Sequence, residues 1–133
     1  MYTGSVTLNL LVLTIMKLSK IKQDKLVKFL EGVQARPGMY FLEPTYPRFT
    51  SYLDGLDFMA DGVILSPVKE WLRSKHAPDN LYWAAGYIML TRPQLARPDR
   101  LTVDVPDPEV MIELAGRLLG LLREAGTLPV VKS

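Results

Sequence analysis

Residues 34–53 read Gln-Ala-Arg-Pro-Gly-Met-Tyr-Phe-Leu-Glu-Pro-Thr-Tyr-Pro-Arg-Phe-Thr-Ser-Tyr-Leu, and they separate two segments with helical spacing. Arg36-Pro37-Gly38 predicts a turn, because proline presets the first corner and glycine accepts a positive φ at the next. Met39, Tyr40 and Phe41 follow as three large side chains that can pin the turn to the body of the domain. Pro44 and Pro47 bracket Thr45, the expected N-cap of the next helix.

Working outward, the segment before the turn carries Leu18, Ile21, Leu26, Phe29, Leu30 and Val33 as an apolar stripe, with Lys20, Lys22, Lys25 and Lys28 mostly off it. Gly32 weakens its end and Arg36-Pro37 stops it. After the turn, Phe49, Tyr52, Leu53 and Leu56 follow i, i+3, i+4, i+7, which predicts a second helix to about Met59, broken by Asp61-Gly62. Ser66 reads as an N-cap with Pro67 at the first helical position, and Val68, Trp71 and Leu72 give a third helix ended by Lys75–Pro78. Asp79 or Asn80 caps Leu81–Leu90, apolar nearly all round. Its length and the Ala84-Ala85 pair favour a buried helix over two strand-like pieces. Pro93 and Pro98 make a loop carrying Arg92, Arg97 and Arg100, and Leu101–Val105 alternates as a strand would. Asp107-Pro108 opens a last helix with Val110, Met111, Leu114, Leu118, Leu121 and Leu122 on one face, stopped by Gly126.

The amino-terminal apolar run, Val6–Met16, is too short to cross a bilayer, which takes about 20 helical residues. Its lysines, Lys17, Lys20 and Lys22, follow it rather than precede it as in a signal peptide. Weak alternation around Thr7–Leu10 fits a strand. Met16 offers an alternative start, which would make residues 1–15 a non-native or poorly ordered extension.

A chain of 133 residues is one domain by size. With 48% apolar and 23% charged residues it has a globular composition. The expected fold is mainly α: a single compact domain, residues 1–133, of about five helices with at most a small β element. A net charge of +2 is too small to imply nucleic acid or an anionic membrane. The absence of cysteine excludes disulfides, thiolate zinc sites and cysteine nucleophiles, and fits a reducing, cytoplasmic location.

No catalytic signature is present. His76 is the single histidine, has no His-x-x-x-His partner, and lies at a helix end where the dipole favours it. No serine sits in a Gly-x-Ser-x-Gly elbow, and no phosphate-cradling glycine loop occurs. Asp54, Asp57 and Asp61 are spaced as on a solvated helix face. No metal, cofactor or enzymatic activity is therefore expected. The run Lys17–Lys28 holds five lysines against Asp24 and could contact phosphates, although it lacks arginine, the better base reader. Trp71, Tyr82, Trp83 and Tyr87 divide between core and a recognition surface.

Arg36-Pro37-Gly38-Met39-Tyr40 is similar to the Arg-Pro-Gly-Met-Tyr-Ile-Gly run of gyrase-B-type ATPase domains. That likeness covers five residues, and the Asn-bearing helix and Asp-x-Gly-x-Gly turn of the ATP site are missing. Over roughly residues 34–91 the chain more closely resembles a group of small bacterial proteins that pair an Arg-Pro-x-Met-Tyr turn with a Phe…Leu-x-Gly-aromatic helix and a Glu-Trp-Leu motif. The matching pieces are Arg36–Tyr40, Phe49…Leu53-Asp54-Gly55-Leu56, Glu70-Trp71-Leu72 and Asn80–Trp83, with Leu56 in place of the usual aromatic. The resemblance implies a compact helical domain of the accessory or immunity type, which would neutralise a cognate toxin by occlusion. The alternative is a small nucleic-acid-associated regulator using the Lys17–Lys28 helix.

For a toxin-binding protein the sequence points to the second helix as the interface. No lysine lies between residues 29 and 68, and Arg36 and Arg48 are the only basic residues there. Glu43, Asp54, Asp57 and Asp61 would steer a basic partner, with Tyr46 and Tyr52 as anchors. The Arg36–Tyr40 turn and Trp71 are expected to be structural.

Overall fold

The computed structural model describes residues 18–39, 41, 44–78, 81–94 and 107–129. Five α-helices run through them: α1 Lys20–Ala35, α2 Tyr46–Met59, α3 Ser66–Ser74, α4 Trp83–Thr91 and α5 Asp107–Glu124, with a 3-10 turn at Pro37–Met39. No strand occurs among the described residues. The strands expected near Thr7–Leu10 and at Leu101–Val105, the Asp79/Asn80 cap, Tyr40 and Glu43 lie outside them.

The longest helix, α5, is the hub. It packs along α1 and also contacts α2, α3 and the 3-10 turn, while α4 packs against α3. Val110, Met111, Leu114, Ala115, Leu118 and Leu122 on α5 are all fully buried, the stripe that the i, i+3, i+4 spacing demands. Gly126, at φ 80°, takes the left-handed turn after α5, and the Thr127 N–H donates back to Leu122 O at 2.9 Å.

Ser19 caps α1, its hydroxyl accepting from the Lys22 N–H at 3.2 Å. Leu26, Leu30 and Val33 are buried, but Ile21 is 68% exposed. Five residues place Ile21 about 140° around the helix from Leu26, so it falls off the stripe the sequence assigned it to. The helix ends where the Arg36 N–H reaches Gly32 O at 2.7 Å and Pro37 has none to offer.

The turn that follows departs from expectation. Pro37–Met39 is a tight 3-10 turn closed by Met39 N–H to Arg36 O at 3.0 Å, and Gly38 is not among the residues at positive φ. Met39 does not pin it, being 69% exposed. Phe41 does, packing its ring against Phe29, Phe49 and Tyr52 at centroid distances of 6.4, 6.1 and 5.8 Å.

Thr45 caps α2 as expected, accepting from the Arg48 N–H at 3.4 Å. The buried row on α2 is Tyr46, Phe49, Thr50, Leu53 and Asp57. Asp61 and Gly62, at φ 56° and 83°, reverse the chain, and Val63, Ile64 and Leu65 turn into the core. Ser66 is the first residue of α3 rather than its cap; Leu65 holds the cap position without a side-chain hydrogen bond. His76, at φ 64°, takes the left-handed position after α3 and is exposed. In α4 every residue from Trp83 to Ile88 is buried, as its unbroken apolar run requires, and a Cβ on Gly86 would meet Ala77 Cβ at 3.9 Å.

Candidate functional site

The expected acidic interface is split by the register of α2. Asp57 belongs to the buried row, only 8% exposed, and its Oδ1 accepts the Leu65 N–H at 2.7 Å. It thus holds the α2–α3 connection and offers nothing to a partner. Tyr46 is buried as well, its hydroxyl donating to Ala84 O at 2.7 Å, so it joins α2 to α4 instead of anchoring an interface. Burial pushes the Tyr46 pKa far above the ordinary phenol value, and the negative charge potential of the neighbouring Tyr87 adds to this.

Asp54 faces the other flank of α2. Its carboxylate accepts from the Tyr82 hydroxyl and from Trp83 Nε1, the latter at 2.8 Å. Burial and then the hydrogen bond to Asp54 push the Tyr82 pKa up to about 12. These three residues form one wall of a cavity of about 310 Å³ between α2, α3 and α4, whose other wall includes Lys69 and Arg73. Arg73 is paired with Glu70 at 2.5 Å on the exposed face of α3. Asp61 is exposed at the end of α2.

A second polar cluster knits α3, α4 and α5. The Tyr87 hydroxyl donates to Glu113 Oε1 at 2.6 Å, Arg92 Nη2 lies 2.8 Å from Glu113 Oε2, and the Arg117 guanidinium sits 4.3 Å from the centroid of the Trp71 ring. Burial opposes charge on Glu113, but hydrogen bonds from Tyr87 and Arg92 and the charges of both arginines prevail, holding its carboxyl below the usual range. Burial, reinforced by the hydrogen bond to Glu113, raises the Tyr87 pKa. Tyr46, Tyr82 and Tyr87 therefore stay protonated near neutral pH and serve as donors. Trp71 is half-buried under Arg117.

An apolar concavity lies on the other side of α2. A groove of about 380 Å³ runs between α1 and α2, floored by Leu18, Leu26, Phe29, Leu56, Ala60 and Ile64 and edged by Tyr52, Met59, Lys22 and Lys25. Phe29 and Tyr52 stack tilted across it with centroids 5.0 Å apart. Tyr52 is 48% and Met59 78% exposed, and Phe58 beside Met59 is 83% exposed. Leaving such side chains in water costs about 1.5–3 kcal/mol each relative to burial, so an exposed group of them marks a surface that gains by being covered. Of the anticipated anchors, Tyr52 alone belongs to this surface. Met59, Phe58 and Ile64 were missed. The signal was a Phe-Met pair ahead of the Asp61-Gly62 break, off the buried row, but a helix end carrying large residues reads equally well as core.

Among the described residues no group of three or more metal-ligating side chains gathers, and no helix is long and apolar enough to cross a membrane. Comparison of the chain with protein-family models, curated proteins and solved structures finds no match.

Proposed function

We propose that the chain is a non-enzymatic protein-binding domain, an immunity protein that neutralises a cognate toxin by occlusion, and that an apolar segment of that partner seats in the α1–α2 groove. The carrying observation is the groove itself: an apolar floor with Tyr52, Met59 and two lysines at its edge, lying between two helices. Tyrosine and methionine around an apolar floor are the composition of interface hot spots, and occlusion needs a complementary surface and no chemistry. Asp54 lies on α2 and Asp61 just beyond its end. The test is co-expression with the protein encoded beside this chain's gene. Wild type should restore growth of cells carrying that toxin and form a complex with it, and Met59→Glu should weaken both. Neither complex nor protection with any neighbouring product contradicts the reading.

A second reading, binding of nucleic acid through α1, is favoured by the exposure of Lys20, Lys22, Lys25 and Lys28. It predicts steep loss of duplex binding with salt. The apolar floor between Lys22 and α2 has no role in phosphate contact, which is why the protein-binding reading is preferred.

A further inference from the structure

The groove also carries information about what fills it. Lys22 and Lys25 line it one turn apart on α1, with Leu26 and Phe29 continuing the same face below them. No acidic residue lines it. Among the described residues neither ammonium is in an ion pair. Lysine stems lie along apolar surface while the charged head stays in water, so the two heads form a cationic rim over a greasy floor.

The walls are side chains of α1, α2 and the residues flanking them, and no strand edge is present among the described residues to offer backbone partners. An extended segment laid there would leave its own N–H and C=O groups desolvated without partners, whereas a helix satisfies them internally. On the reading that this groove is the docking face, we infer that its occupant is an amphipathic helix of the protein partner, with large apolar residues at i, i+3 or i+4 and i+7 facing the floor. Glutamate or aspartate flanks that face and meets Lys22 and Lys25. Charge complementarity selects this occupant over a basic one, since a cationic helix would bring like charges against an unneutralised rim.

The test uses the full chain and two synthetic helical peptides with the same apolar face, one flanked by glutamates and one by lysines. Backbone amide NMR shifts report binding. The acidic peptide should bind about tenfold more tightly at low salt, two exposed ion pairs contributing modestly each, and the preference should shrink as salt screens them. The charge-swapped variant Lys22→Glu/Lys25→Glu should invert the order. Equal binding of both peptides, or preference for the basic one, overturns the acidic assignment and leaves the docking face standing. Binding of neither peptide removes the docking face as well. Two other results overturn the acidic helix: tighter binding of a peptide copying residues 5–17, which carry no acid, or of anionic phosphatidylglycerol vesicles.

Discussion

Replacing Asp57 by alanine tests the packing of α2 more directly than any other single change. The carboxylate is 8% exposed, and its Oδ1 is the acceptor for the Leu65 N–H at 2.7 Å. Leu65 itself is fully buried, so alanine would leave a peptide N–H in the core with no acceptor. Stranding a buried donor costs about 1–3 kcal/mol, whereas a substitution that keeps an acceptor in place costs far less. Asp57→Ala should therefore lower the urea unfolding free energy by about 2 kcal/mol with an unchanged denaturant slope, since the surface exposed on unfolding hardly changes. Asp57→Asn, whose amide oxygen can accept the same bond, should recover most of that loss. Asp57→Lys should be worse than alanine, because a cation would occupy the buried position. If Asp57→Ala unfolds within about 0.5 kcal/mol of wild type, the range of an ordinary surface change, Asp57 does not hold the α2–α3 connection.

Two glycine substitutions test the backbone conformations. Gly38→Val, in the 3-10 turn with open space at its Cβ position and no positive φ, should change stability by less than about 0.5 kcal/mol; a loss of several kcal/mol by thermal unfolding would mean a strained turn. Gly120→Ala, exposed within α5 with nothing near its Cβ position, should stabilise by roughly 0.5–1 kcal/mol through reduced unfolded-state freedom. Glu113 gives a pH prediction. Its carboxyl is held below the unfolded value of 4.5, so its contribution is present above pH 4.5 and is lost as pH falls through the lower folded pKa. Urea midpoints measured across acidic pH should thus fall less steeply for Glu113→Gln than for wild type, and parallel curves would refute the assignment.

Helical architecture was legible because each helix carries its own period and punctuation. Thr45, Asp61-Gly62 and Gly126 act where the sequence places them, and the α5 stripe needs only i, i+3, i+4 counting. The candidate site was not legible, and the reason is register. Taking Phe49, Tyr52, Leu53 and Leu56 as the buried face of α2 makes Asp57 look exposed. The fold instead buries Tyr46, Phe49, Leu53 and Asp57, which turns Tyr52 and Leu56 toward the α1 groove. A buried aspartate serving a backbone N–H eight residues away leaves no trace in local periodicity. Gly38 misled for a related reason: Pro-Gly suits both a left-handed corner and a 3-10 turn, and the choice depends on how the Arg36 N–H has already closed α1. Ser66 lost the cap role because its own N–H already bonds back to Gly62 O at 3.2 Å, a helical i→i−4 bond that brings it into α3.

Mapping the acidic peptide by amide shift perturbation tests the docking face most directly. The account predicts the largest changes at Lys22, Leu26, Tyr52, Leu56, Met59 and Ile64, the two walls and floor of the groove, with Met59→Glu abolishing them at an unchanged melting temperature. Changes centred instead on Lys69, Tyr82 and Gly86, across the cavity on the far side of α2, or undiminished binding by Met59→Glu, would contradict it.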